Sequence, residues 1–246
     1  MARAALPGGL VTGLWQRARL VERRPETATA VTLVFAPEDW PGHLAGQHAD
    51  VRLTADDGYT AVRSFSMAAP VRDGLVEFTV QRVNDGEVST YLCDDLPVGA
   101  DVELKGPIGG WFVWRETETR PVLLVAGGSG IVPLQAMIRQ RRQSGSDAPF
   151  RLIYSVRTPA DIIYRDELGD AADGVETAIL YTRTAPDGSG RPPARIGLAD
   201  LKEYGWTPGF DASCFICGPT GFVETAAKAL VAMGHDSHRI KTERFG

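Results

Sequence analysis

The chain has 246 residues, 43% hydrophobic and 23% charged, and 26 basic against 31 acidic groups give it a net charge of −5. This balance suits a globular protein of one large or two ordinary domains and speaks against nucleic acid or an anionic membrane as partner. Three cysteines (Cys93, Cys214 and Cys217) are too few for a disulfide framework; with no span-length apolar run and no convincing signal peptide, the cytoplasm is the expected compartment and membrane insertion is not expected.

In chain order, residues 1–13 read as an N-terminal extension, interrupted by Pro7-Gly8-Gly9. From there to about residue 115, short alternating segments are separated by turn residues such as Asp56-Asp57-Gly58 and Asn84-Asp85-Gly86. Strands are predicted at 47–53 and 75–81, which reads as an antiparallel barrel or sandwich with one helix at 88–96. Between those strands lies Arg63-Ser64-Phe65-Ser66. On a strand, Arg63 and Phe65 share one face and Ser64 and Ser66 the other. The stretch combines a fixed cation, an aromatic face and two hydroxyls, the mixture a flavin nucleotide needs. An ordinary barrel strand with one exposed arginine is the alternative. At Asn84-Asp85-Gly86-Glu87-Val88-Ser89 the turn enters the helix. Gly86 and the helix start can offer N–H groups to a diphosphate, with the Ser89 hydroxyl beside them. A plain helix cap explains the same residues.

Residues 115–120 are polar and aperiodic and read as a linker; beyond them the period lengthens. Strands are predicted at 121–126, 150–156, 176–181 and 213–217. Helices are predicted after the first (Ile131, Leu134, Met137 and Ile138), at 159–168, and after the last (Phe222, Val223, Ala226, Leu230 and Val231). Strand–helix alternation predicts a doubly wound parallel sheet. Gly127-Gly128-Ser129-Gly130-Ile131-Val132-Pro133 joins the first of these strands to its helix, where phosphate loops sit; a tight strand–helix turn with no ligand is the alternative. Cys217-Gly218-Pro219 ends the last strand and is read as leaving a thiol at the rim of a cleft, against the alternative of a buried small hydrophobe. Cys214 and Cys217, three apart on a strand, point to opposite faces, so their CxxC spacing is given little weight as a metal motif. Ser155 and Arg157 end the second strand, Thr182 and Arg183 the third, and Arg195 follows a Pro/Gly-rich loop. These arginines favour a 2′-phosphate, and hence NADPH over NADH; any single one is equally explained as a solvated surface residue. His43, His48, His235 and His238 show no metal-ligand spacing and read as surface or structural residues, and no metal is assigned.

In this order the motifs resemble the ferredoxin–NADP(+) reductase superfamily over nearly the whole chain. Arg63-Ser64-Phe65-Ser66 resembles the family's Arg-x-Tyr-Ser. Gly86, Ser89, Tyr91 and Leu92 resemble its diphosphate segment, and Gly106 to Phe112 its Gly-Pro-x-Gly-x-Phe segment with one extra residue. The Gly-Gly-Ser-Gly-Ile-x-Pro loop, the Cys-Gly-Pro motif and Glu243-Arg244-Phe245 complete the set. The resemblance implies an FAD-binding barrel over 14–115 and an NAD(P)-binding domain over 121–246. It implies FAD contacts at Arg63, Ser64, Phe65, Ser66, Val80, Gly86, Val88 and Ser89. It sets Ser66, Cys217 and Glu243 around the hydride path, with Phe245 as a gate over the flavin ring. Nucleotide contacts run through Gly127, Gly128, Ser129, Gly130, Val132, Pro133, Ser155, Arg157, Thr182, Arg183, Arg195, Cys217, Gly218 and Pro219. Two departures stand out: Phe65 for the family's Tyr, and Val132 for a Thr. The implied activity takes hydride from NAD(P)H onto FAD and passes electrons to a separate acceptor, such as a ferredoxin or an oxygenase iron–sulfur component, with the enzyme as a monomer. A free-flavin or ferric reductase, and a non-catalytic flavin- or nucleotide-binding regulator, are the alternatives.

Overall fold

The structure is a computed structural model that describes residues 14–168 and 174–245. The expected extension at 1–13 lies outside the described residues, as does Gly246.

Six strands form the first sheet: β1 (Gln16–Thr27), β2 (Ala30–Pro37), β3 (His48–Thr54), β4 (Thr60–Ser66), β5 (Val76–Gln81) and β6 (Asp101–Ile108). They pair antiparallel in the order β4-β3-β6-β1-β2-β5. One bridge from Met67, just past β4, to Phe78 of β5 brings the two ends of the sheet together, as in a barrel. Alternation fills it: in β6, Val102, Leu104 and Gly106 are buried while their neighbours are not. Leu20, Leu33, Phe35, Val51 and Phe78 join Val102 and Leu104 in one core. β3 and β5 match the strands expected at 47–53 and 75–81. β1 carries so many arginines and glutamates on its outer face that its sequence pattern is hard to see.

The helix expected at 88–96 has two parts, α1 (Glu87–Thr90) and a wider π-helical turn (Tyr91–Asp95). Arg23 donates to the carbonyls of Leu92, Cys93 and Leu96, groups that a helix end otherwise leaves unpaired.

The second sheet is parallel throughout: β7 (Val122–Gly127), β8 (Phe150–Val156), β9 (Val175–Tyr181), β10 (Ser213–Pro219) and β11 (Ile240–Phe245), in the order β11-β10-β7-β8-β9. α2 (Ile131–Ser144) covers the face toward the barrel; α3 (Leu198–Tyr204) and α4 (Thr220–Met233) cover the other. This is the doubly wound arrangement, and its strand order reverses between β7 and β10. Cys214 and Cys217 do sit on opposite faces, each in a different core.

Three expectations need correction. β11 is a fifth strand that no pattern announced, because most of its residues are charged or polar and only its register against β10 defines it. Residues 159–168 are not a helix. One 3₁₀ turn (Pro159–Asp161) is followed by turns, with Tyr164 left-handed at φ 60°. Its apolar residues Ile162, Ile163 and Tyr164 are all buried, so the run is a packed loop rather than one helix face. On α4, Val231 is exposed, while Val223, Ala226 and Leu230 are buried as expected.

The two sheets share a core in which Ala30, Ala45 and Ala68 from the barrel half meet Phe112, Trp114 and the α2 face. On one side of that core lies a polar seam. Arg139 of α2 forks onto Glu167 (2.9 and 2.5 Å) and reaches Glu77 of β5 (2.5 Å) and the Ala68 carbonyl (3.0 Å). The Tyr164 hydroxyl donates to Thr79 (2.5 Å), and Glu26 accepts from the Tyr164 N–H and the Thr32 hydroxyl. Among the described residues no helix is long and apolar enough to cross a membrane.

Candidate functional site

β4 is an end strand, hydrogen-bonded to β3 alone. Its register sets Arg63 opposite Val51 and Phe65 opposite Ala49, on the barrel-core face, and Ser64 opposite Asp50 and Ser66 opposite His48 on the other. The shared faces are those the alternation predicts. Phe65 packs partly against the barrel core, and the Ser64 hydroxyl donates to Asp50 at 2.6 Å. Arg63 is exposed. Its Nη1 donates to the Val62 carbonyl at 2.7 Å, and among the described residues no carboxylate pairs with it.

Ser66 ends β4 where the barrel meets the second sheet. Its hydroxyl donates to Glu243 Oε1 at 3.4 Å, across 177 positions of sequence. Glu243 arrives there because β11 lies parallel to β10 with Cys217 opposite Glu243 and Pro219 opposite Phe245. Burial pushes the Glu243 carboxyl up to about 7, partly offset by the Ser66 bond. Its Oε2 is buried and has no hydrogen-bond partner. Phe245, 38% exposed, is the last described residue beside it. The expected rim position of the Cys217 thiol does not hold: the residue is 1% exposed, since odd-numbered residues of β10 face the shared core. Burial, and then the Glu243 charge, raise that thiol well above its ordinary range. In this position it packs at the edge of the site, with its thiol protonated.

The two glycine-bearing strand ends meet at the switch point. A Cβ on Gly130 would stand 2.2 Å from the Cys217 carbonyl oxygen, so only glycine lets the two turns pack this closely. Gly128, at φ 56°, faces open space with nothing within 4 Å of a Cβ. The turn after the first strand, at the switch point, is where such sheets hold a phosphate or pyrophosphate. Val132 and Pro133 follow in the first turn of α2 and are buried, so any ligand contact from them is through the backbone. The side chains of Val80 and Val88 are likewise buried, both 1% exposed in the barrel core, which leaves their backbone for any contact. Ser89 accepts the Val83 N–H at 3.2 Å and donates to the Gly86 carbonyl at 3.4 Å, so its hydroxyl ties the turn together.

At the carboxyl ends of β8 and β9, the Arg183 N–H donates to the Arg157 carbonyl at 2.9 Å and the Thr182 N–H to Val156 at 2.9 Å. Ser155, buried, precedes them. Arg157, Arg183 and Arg195 are exposed, and among the described residues none is paired with a carboxylate. Nothing in the sequence pattern flagged Arg191. It forks onto Asp200 and holds several carbonyls of the loop carrying Arg195. His43 and His235 are structural as expected: His43 accepts from Trp40 (3.0 Å) and contacts the Ala69 carbonyl, and burial lowers its pKa to about 4.

The residues present fit a flavin nucleotide. An unpaired cation, a half-buried ring and a hydroxyl are ordered along one edge strand, and a buried carboxyl oxygen beside them lacks a partner.

Comparison with known proteins agrees in both halves. Residues 26–113 match the family model described as an oxidoreductase FAD-binding domain, and residues 124–228 the one described as an oxidoreductase NAD-binding domain. The reductase component of a propane 2-monooxygenase from Mycolicibacterium smegmatis is 29% identical over 217 residues, covering 85% of this chain and 61% of that protein. The ferredoxin–NAD(P)(+) reductase component of naphthalene 1,2-dioxygenase/salicylate 5-hydroxylase systems from Ralstonia is 31% identical over 232 residues, covering 91% of this chain and 64% of that one. The chain thus spans roughly three-fifths of the length of the curated relatives it matches, between 61% and 65% for the first of them. Among solved structures, the FAD/NAD-binding domain of a nitric oxide dioxygenase from Vibrio cholerae superimposes with a TM-score of 0.83 at 25% identity, over 94% of this chain and 98% of that one.

Proposed function

The chain belongs to the ferredoxin–NADP(+) reductase-like superfamily of two-domain oxidoreductases, and from that premise we propose that it oxidises NAD(P)H and passes the electrons to a separate acceptor protein. The observation that carries this reading is the meeting of Ser66, Glu243 and Cys217 at the point where the end of β4 reaches the switch point of the parallel sheet. FAD, when bound, supplies the exchange between a two-electron donor and one-electron acceptors.

The protein's own residues do the rest. Arg63 holds phosphate and Phe65 offers a ring face without the phenolic hydroxyl of a tyrosine. Gly128 lets the nucleotide's diphosphate approach the β7–α2 turn, and Arg157, Arg183 and Arg195 meet its adenosine end. Phe245 covers the inner site and yields to the nicotinamide. Glu243 stands protonated over much of the range below neutrality and can give or take a proton at Oε2, with Ser66 fixing the other oxygen. On this reading the binding domains span 14–115 and 121–246, and the enzyme works as a cytoplasmic monomer. An oxygenase component or a ferredoxin is the acceptor, a choice supported by the names that several relatives carry.

Purified protein is expected to be yellow, or to become so with FAD, and to bleach on anaerobic NADPH. A chain that cannot be reconstituted with FAD would overturn the reading. FAD binding without bleaching by either nucleotide would leave only a non-catalytic binding protein.

A further inference from the structure

The segment between β9 and α3, residues 182–197, contains no strand or helix, yet it carries both Arg183 and Arg195. Most of it is exposed, and such a loop ordinarily samples many conformations. One side chain spans it. Arg191 is largely buried, and its Nε and Nη2 fork onto the Asp200 carboxylate at 2.5 and 3.0 Å. Nη1 donates to the carbonyls of Tyr181 and Pro192, both at 3.3 Å. Nη2 donates to those of Ala194 and Arg195, both at 3.1 Å. Asp200 in turn accepts the Gly197 N–H at 2.8 Å, at the start of α3. The end of β9, the middle of the loop, Arg195 and the first turn of α3 are therefore tied to one planar, permanently charged group.

A guanidinium has five N–H donors. Here all of them point at protein oxygens, so Arg191 has none left for a ligand. The Arg183 and Arg195 guanidinium groups are exposed, and among the described residues neither has a carboxylate partner. We propose that Arg191 and Asp200 form a positioning pair, which sets the loop so that Arg183 and Arg195 present a preformed site for a phosphate monoester, the 2′-phosphate that separates NADPH from NADH. This rests on the reading that the nucleotide's adenosine end lies at this sheet edge. Ordering the loop before binding removes an entropic cost that would otherwise weaken the charge-assisted contacts.

The test compares Arg191→Leu, Arg191→Lys, Asp200→Asn, Arg183→Ala and Arg195→Ala as FAD-loaded proteins. Calorimetry with 2′-AMP and with 5′-AMP reads the phosphate site directly. Steady-state rates with ferricyanide give KM and kcat for NADPH and NADH, and a melting curve checks each fold. Arg191→Leu is expected to weaken 2′-AMP and raise the NADPH KM about tenfold, a difference of about 1.4 kcal/mol. Binding of 5′-AMP, the NADH KM and kcat should stay as in the parent. Lysine, a point charge unable to fork, should restore only part of the loss, and Asp200→Asn should move the same ratio in the same direction. If Arg191→Leu and Asp200→Asn alter both nucleotides equally, or neither, while Arg183→Ala and Arg195→Ala still discriminate, the positioning role falls and the nucleotide site stands. If Arg183→Ala and Arg195→Ala also fail to discriminate, the placement of the nucleotide falls and the positioning role with it.

Discussion

The contact between the two sheets has two sides that use the same kinds of residue in opposite ways. On the polar seam, Arg139, Glu77, Glu167, Tyr164 and Thr79 bond one another, and nearly every strong donor finds an acceptor. At the cleft, Glu243 keeps a buried oxygen without a partner, and Arg63, Arg157, Arg183 and Arg195 have no carboxylate among the described residues. Burying a polar group unpaired is costly, so a largely paired seam is what stability alone produces, although Gln135 Oε1 beside Glu167 has no partner. On the proposed reading, the free groups of the cleft are the ones that a bound cofactor would complete.

The largest effect should come from the saturated side. Arg139→Met would strand two carboxylates, although Arg24 still faces Glu77 and Arg142 still faces Glu167. A loss of about 3 kcal/mol in denaturant unfolding is expected, the low end for breaking a buried pair. A loss near zero would mean that the seam holds nothing together.

On the open side the effect depends on pH. The Glu243 carboxyl stands near 7 in the folded chain against about 4.5 when unfolded. Between those values the native state holds a proton that the unfolded state releases, so stability is full below the lower one and falls as pH rises toward the higher. The loss is about 3 kcal/mol by linkage. Glu243→Gln should flatten that slope in unfolding measured on the flavin-free chain from acid to neutral pH. An unchanged slope would assign the pH dependence to another group.

Two glycines in one turn sharpen the contrast further. Gly130→Ala drives a methyl into the Cys217 carbonyl and should cost about 2 kcal/mol by overpacking. Gly128→Ala meets only open space and an unfavourable φ, so about 1 kcal/mol is expected. Melting temperatures separate the two. Equal costs would contradict the picture of one packed and one open glycine. The smallest effect is for Phe65→Tyr, which restores one hydroxyl and should tighten FAD by about 1 kcal/mol in a fluorescence titration; no change would make the missing hydroxyl irrelevant here.

What was legible beforehand follows the physics of each segment. The Arg63–Ser66 strand, β7 with its glycine turn, and the α2 face announce themselves through local alternation, continuous apolar runs or helical spacing. β11 does not, because Lys241, Glu243 and Arg244 on a parallel edge strand carry no periodic signal. The run at 159–168 misleads for a related reason: apolar residues suit a helix and a packed loop equally, and the burial of Ile162, Ile163 and Tyr164 together, with the Tyr164 hydroxyl on Thr79, is a tertiary outcome. That Cys217 lies opposite Cys214 follows from alternation, but its depth does not, since depth depends on the Gly130 turn and the shared core packing over it.

By itself the sequence determined the class of each half, the order of the binding motifs and which side chains share a strand face, because periodicity and turn chemistry are local properties. Only the tertiary structure decided that Ser66 meets Glu243, that Ser89, Val80 and Val88 are spent on packing or turn bonds, and that Arg191 organises its loop rather than facing a ligand. Those outcomes depend on which distant partner uses up each hydrogen bond or covers each surface, and no local pattern encodes that.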